Sequence, residues 1–165
     1  FLSCGIKQLG DITMPLVTNI GYMFQNCQIT TIGDIIAPLA TNATEIFWTG
    51  YIVSVGDMYM PQVSTSYFFD NSYNLTTCGK LTFKDYSSSI FYGTNNLENF
   101  GGMAGLAVSF DFSAMTKLTK QSLINIMNEA ATVTGGQVLT FGSANLSKLS
   151  DEEKAIAINK GWTLA

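Results

Sequence analysis

Three aspartates, Asp11, Asp34 and Asp57, stand at a constant interval of 23 residues. If that interval places them on neighbouring strands, their carboxylates lie roughly 4.8 Å apart. Like charges in such a row repel unless something neutralises them. One reading is a Ca²⁺ ion held by carboxylate and backbone oxygens. The other is that each aspartate accepts backbone N–H groups in its own turn, with Lys80 closing the row. Ca²⁺ asks for six or more oxygens, and no further acids stand at positions to supply them. The second reading is therefore preferred, and no cofactor is expected.

Catalytic chemistry finds little support. The chain has no His, so the commonest general base is missing. Paired carboxylates would suffice for a glycoside hydrolase, but the acids are scattered and share no recognisable motif. A non-enzyme is expected, with a carbohydrate-active hydrolase as the rival. Cys4 and Cys27 occupy equivalent positions 23 residues apart, and Cys78 makes the count odd. Strand spacing would bring the first two within disulfide range. Reduced thiols packing as small hydrophobes are nevertheless the expected state.

A surface for recognition is easier to read. Gln8, Thr31, Ser54, Thr77 and Asn99 each stand immediately before an apolar residue of one recurring column: Leu9, Ile32, Val55, Cys78 and Phe100. Strand alternation turns the polar member of each pair outward, giving a neutral strip able to hydrogen-bond sugar hydroxyls or simply to face solvent. Trp48, Tyr51, Tyr73 and Tyr92 flank a column of phenylalanines. Exposed aromatics among Asn, Ser and Thr suit a recognition surface.

The elements that must position these residues follow from the repeat. Phe1, Phe24 and Phe47 begin gapless copies, and looser copies begin at Phe69 and Phe91. Ile6, Ile29, Ile52, Leu75 and Leu97 form a second column, and Gly10, Gly33, Gly56, Gly79 and Gly101 another. A column of glycines asks for positive φ or for close approach of stacked backbones. Within one unit, Ile29–Ile32 reads as a short strand ended by Pro38. Leu39, Ala43, Ile46 and Phe47 follow at the spacing of one or two helical turns. A repeat of this period predicts an α/β solenoid of leucine-rich-repeat coils. About five coils are expected over residues 1–109, the first incomplete, with a mixed α/β cap over 110–165.

In that last part, Phe110–Phe112 and Val138–Phe141 read as strands. Thr119 reads as the N-cap of a helix stopped by Gly135–Gly136. Ser150-Asp-Glu-Glu153 reads as a capping box. Its helix is expected to turn Ala155–Ile158 inward, with Lys160 at its C-terminal, negative end.

Composition narrows the partners. Charged residues are 12% of the 165, net charge is −4, and all basic residues are Lys. Nucleic-acid binding needs a basic stripe and usually Arg, so no nucleic-acid partner is expected. No apolar run approaches the ~20 residues of a membrane span, and no membrane insertion is expected. The chain opens at Phe1 in mid-repeat. Further chain or another subunit is expected to cover the apolar underside of Phe1, Ile6 and Leu9.

The motif Phe-x-x-Cys-x-Ile-x-x-Ile, with Pro-x-x-Thr-Asn at Pro15–Asn19 and Pro38–Asn42, resembles the BspA-like leucine-rich repeats of bacterial surface proteins. The ending from Leu139 to Ala165 is similar to the C-terminal caps of such proteins in gut Bacteroides-type bacteria and their phages. The resemblance implies adhesion or receptor binding at a bacterial cell surface or on a phage virion, as in a phage tail, and no catalytic residues. The expectation is a non-enzymatic module outside the cell, offering a neutral polar and aromatic surface to a glycan or protein receptor. A structural spacer of a larger surface or virion protein is a further alternative.

Overall fold

A computed structural model describes residues 4–47, 51–65 and 68–165. Phe1, Trp48 and Gly50 lie outside the described residues. The first sheet has five two-residue strands in the order β1 (Gln8–Leu9), β3 (Thr31–Ile32), β5 (Ser54–Val55), β7 (Thr77–Cys78) and β9 (Asn99–Phe100), with neighbours parallel. The second has β2 (Ile12–Thr13), β4 (Ile35–Ile36), β6 (Met58–Ser64) and β8 (Leu81–Asp85), also parallel. The third joins β10 (Phe110–Asp111), β11 (Val138–Thr140) and β12 (Thr163–Leu164). Three helices, α1 (Lys120–Glu129), α2 (Gly142–Leu146) and α3 (Asp151–Ile158), all follow residue 119.

This corrects the expected leucine-rich-repeat solenoid. The molecule is a small α/β domain with three parallel sheets, and no strand-plus-helix coil occurs among the described residues. The stretch read as helix, 39–47, forms turns. The reason lies in its backbone partners. The carbonyls of Asn42, Thr44 and Ile46 accept the amides of Ile20, Tyr22 and Phe24 at 2.9, 2.9 and 3.1 Å. A helix would direct these carbonyls to amides four residues ahead; here they serve the preceding unit. Leu39, expected on the apolar side, is exposed, whereas Ala43, Ile46 and Phe47 are buried. The single strand expected at Ile29–Ile32 is two, β3 and β4, in different sheets. Pro61 lies inside β6 rather than ending a strand, and the register with β8 shifts between Met60 and Ser64. A proline cannot donate to the ladder, and a register shift accommodates it.

Phe24 stacks on Phe47, Phe47 on Phe69 and Phe69 on Phe91, with ring centroids 5.7, 5.5 and 5.4 Å apart. Phe110 meets Phe91 edge-on at 6.5 Å and carries the aromatic line toward the third sheet. The offset and edge geometries are those that aromatic quadrupoles favour.

The glycine column takes the close-approach alternative. A Cβ on Gly33 or Gly56 would sit 2.8 Å from the backbone nitrogen of Asp11 or Asp34. Neither glycine has positive φ.

Thr119 caps α1 through the Ser122 amide at 3.2 Å. The helix ends at Glu129, well before the two glycines expected to stop it. The Ser150–Glu153 capping box forms as expected, with bonds of 2.7 and 3.2 Å. Of Ala155–Ile158 only Ala157 is buried, and Ile158 is exposed. Lys160 does not serve its own helix. Its ammonium donates to the carbonyls of Met127, Asn128 and Ala130, where α1 ends. Trp162 fixes the same junction, its indole N–H donating to the Ala131 carbonyl at 2.8 Å. Among the described residues no helix is long and apolar enough to cross a membrane.

Candidate functional site

The polar strip assembles. Gln8 pairs with Thr31, Thr31 with Ser54, Ser54 with Thr77 and Thr77 with Asn99, one residue from each strand of the first sheet. The alternation of a two-residue strand decides the faces. Ile32, Val55, Cys78 and Phe100 are buried, while the residues before them are half-buried or exposed.

Helix α1 closes one end of this row. The Ser122 hydroxyl donates to the Glu98 carbonyl at 2.8 Å and accepts the Phe100 amide at 2.9 Å. Asn125 Nδ2 donates to the Phe100 carbonyl at 2.9 Å. Helix side chains thus take the backbone positions that a sixth strand would occupy. Between helix and sheet lies a cavity of ≈ 410 Å³, its polar lining formed by Ser54, Thr77, Asn99, Gln121, Ser122 and Asn125. None of these carries a charge. The row and the cavity form one uncharged surface rich in hydroxyls and amides. The sequence reading missed the helical half of it; Gln121, Ser122 and Asn125 become neighbours of the strip only through the docking of α1.

The aromatic candidates divide. Tyr51, Tyr73 and Tyr92 are exposed, and Trp48 lies outside the described residues. Tyr73 and Tyr92 meet at a second cavity of ≈ 460 Å³, together with Ser88, Asn95, Asp111 and Met115. Tyr51 does not line it. The Tyr73 ring lies against Gly93, where a Cβ would come within 3.0 Å of Cε1. Its hydroxyl is bonded to Asn71 Oδ1. Asp111 was not among the sequence candidates. A signal existed: it sits between Phe110 and Phe112, both buried, so alternation must turn its side chain outward. The hydroxyl and the backbone N–H of Ser113, the latter at 2.8 Å, bond the carboxylate and hold it below the usual carboxylate range.

The aspartates form a ladder rather than separate turns. Asp11 Oδ1 accepts the Asp34 amide at 3.0 Å, Asp34 Oδ1 the Asp57 amide at 2.8 Å, and Asp57 Oδ1 the Lys80 amide at 2.7 Å. The expectation that each serves its own turn is corrected. The amide next to each aspartate's equivalent lies nearer, because the glycine before it allows the two chains to close up. The Lys80 ammonium faces Glu129 at 3.9 Å while its amide ends the row. Among the described residues no cluster of three or more His, Cys, Asp or Glu side chains could hold a metal ion.

Cys4 Sγ lies 3.0 Å from Cys27 Sγ, as a thiol pair. The contact with Cys27 lowers the Cys4 thiol, while burial raises that of Cys27. Cys78 is buried in the core, and burial pushes its thiol far above the ordinary value. A thiol so placed is inert.

No protein-family model matches the chain, and no curated protein or solved structure matches it.

Proposed function

We propose that this chain is a non-enzymatic recognition module that offers a neutral polar and aromatic surface to a glycan or protein receptor, working at a bacterial cell surface or on a phage virion. The observation that carries the reading is the row Gln8–Thr31–Ser54–Thr77–Asn99, held in strand register and continued by Gln121, Ser122 and Asn125 of α1. Hydroxyl and amide groups both donate and accept. A surface built of them fits a partner that does the same, as sugar hydroxyls and peptide groups do. The setting is the one implied by the resemblance to BspA-like surface proteins. The reading includes cover for the edge of β1, where Ile6 is exposed and Leu9 half-buried, by further chain or another subunit.

The test is an array of glycans and cell-surface proteins probed with the whole chain and with Thr77→Lys and Asn99→Lys. Retained binding of wild type, lost in both variants, supports the reading. Turnover of a glycoside without retained binding replaces it with a hydrolase. A chain that binds nothing on either array is a spacer.

A further inference from the structure

The cavity at Tyr73, Tyr92 and Asp111 is distinct from the row, and its chemistry is more selective. It lies between the 88–95 turns and β10, with a volume of ≈ 460 Å³. That falls within the range of small-molecule pockets, roughly 300–1,000 Å³. Two of its lining residues are exposed tyrosines, with 56% and 65% of Tyr73 and Tyr92 open to solvent. Such exposure leaves a phenol face available to a flat apolar surface. Tyr73 is not loose. Its ring lies on Gly93, its hydroxyl is bonded to Asn71, and its carbonyl accepts Asn96 Nδ2 at 2.8 Å. Asn96 Oδ1 in turn accepts the Lys117 ammonium at 2.8 Å. A positioned ring costs less entropy on binding than a free one.

The polar lining decides the ligand class. Asp111 is held by Ser113, and among the described residues no lysine pairs with it. An ionised carboxylate is acceptor-only, whereas the Asn95 amide and the Ser88 hydroxyl donate as well as accept. A cation would use the carboxylate and the tyrosine faces and leave the donors idle. A sugar ring uses all of them: its hydroxyls donate to Asp111, exchange bonds with Asn95 and Ser88, and its C–H face lies on a phenol. The charge-assisted bond to the carboxylate is the strongest of these.

We propose that the Tyr73–Tyr92–Asp111 cavity is a binding subsite for a single neutral sugar ring, with Tyr92 as stacking platform and Asp111 as the acceptor of two ring hydroxyls. This rests on the recognition reading above and names the ligand class for one part of the surface.

The experiment is a titration of the ¹⁵N-labelled whole chain with the methyl glycosides of glucose, galactose, mannose and N-acetylglucosamine, and separately with choline chloride. At least one glycoside is expected to move the amide signals of Gly93 and Ser113 at millimolar concentration, while those of Thr31 and Thr77 stay in place. Tyr92→Ala and Asp111→Asn should each weaken that glycoside about tenfold. Both positions are exposed, and Asn keeps an acceptor for the Ser113 amide, so both variants should fold. Asn95→Ala provides a third, milder loss. The proposal is overturned if choline moves these signals and no glycoside does, or if the variants bind as wild type. Glycoside shifts confined to Thr31, Ser54 and Thr77 overturn it while sustaining the broader reading. No glycoside shift anywhere overturns it and leaves a protein receptor for the row, which the array tests separately.

Discussion

Asp34 Oδ1 accepts the backbone N–H of Asp57 at 2.8 Å. Gly56, the residue before that amide, has no space for a Cβ: an added one would lie 2.3 Å from the same oxygen and 2.8 Å from the Asp34 nitrogen. The glycine and the aspartate ladder are therefore one device. The missing side chain lets two strands close up, and the carboxylate then satisfies an amide outside the regular ladder.

Gly56→Ala should separate these strands, because the obstacle includes backbone that cannot rotate away. Overpacking of this kind costs about 1–3 kcal/mol, which for a chain of this size lowers Tm by about 3–10 °C. Gly10→Ala is the internal control, since a Cβ there meets nothing within 4 Å. Thermal unfolding of the two variants checks this; equal Tm values would show that the close approach does not matter.

Lys160→Met should loosen the end of α1 rather than of α3. The ammonium donates to three carbonyls at that end, and a cation there also complements the helix dipole. A loss of about 1–3 kcal/mol is expected, the range for bonds to a charged group. Hydrogen exchange of the Ala130 and Ala131 amides should accelerate, while that of Asn159 in the α3 cap should not. Acceleration confined to α3 would contradict the cross-helix role.

Tyr86 makes stability fall at high pH. Its hydroxyl lies 2.8 Å from the carbonyls of both Leu81 and Ala104, and burial pushes its ionisation from 10.0 up to about 12. The folded state therefore holds its proton where the unfolded chain has lost it. The contribution is fully present below about 10 and is lost as pH rises toward about 12. Tyr86→Phe leaves buried carbonyls unpaired and should cost about 1–3 kcal/mol at neutral pH. Above pH 10 the gap between the two proteins should narrow. Urea unfolding across that range tests the sign; a gap that widens would reverse it.

The 23-residue interval, read from the residues alone, determined which side chains are neighbours. Gln8 to Asn99 became one row, and Phe24 to Phe91 one stack, because parallel strands in constant register bring equivalent positions side by side. The Ser150–Glu153 capping box was equally legible, since its bonds lie within four residues. The fold class was not. A helix and a series of turns both accommodate Ala43, Ile46 and Phe47 facing inward. The choice fell to carbonyls of 42–46 that serve another unit rather than amides ahead of them. Tertiary structure alone placed α1 against β9, carried Lys160 to the wrong-seeming helix end, and set Asp111 beside Tyr73 and Tyr92. Each of these joins residues about 20 or more positions apart outside the repeat, where no spacing rule connects them. Only the packing of one non-repeating surface on another decides such contacts.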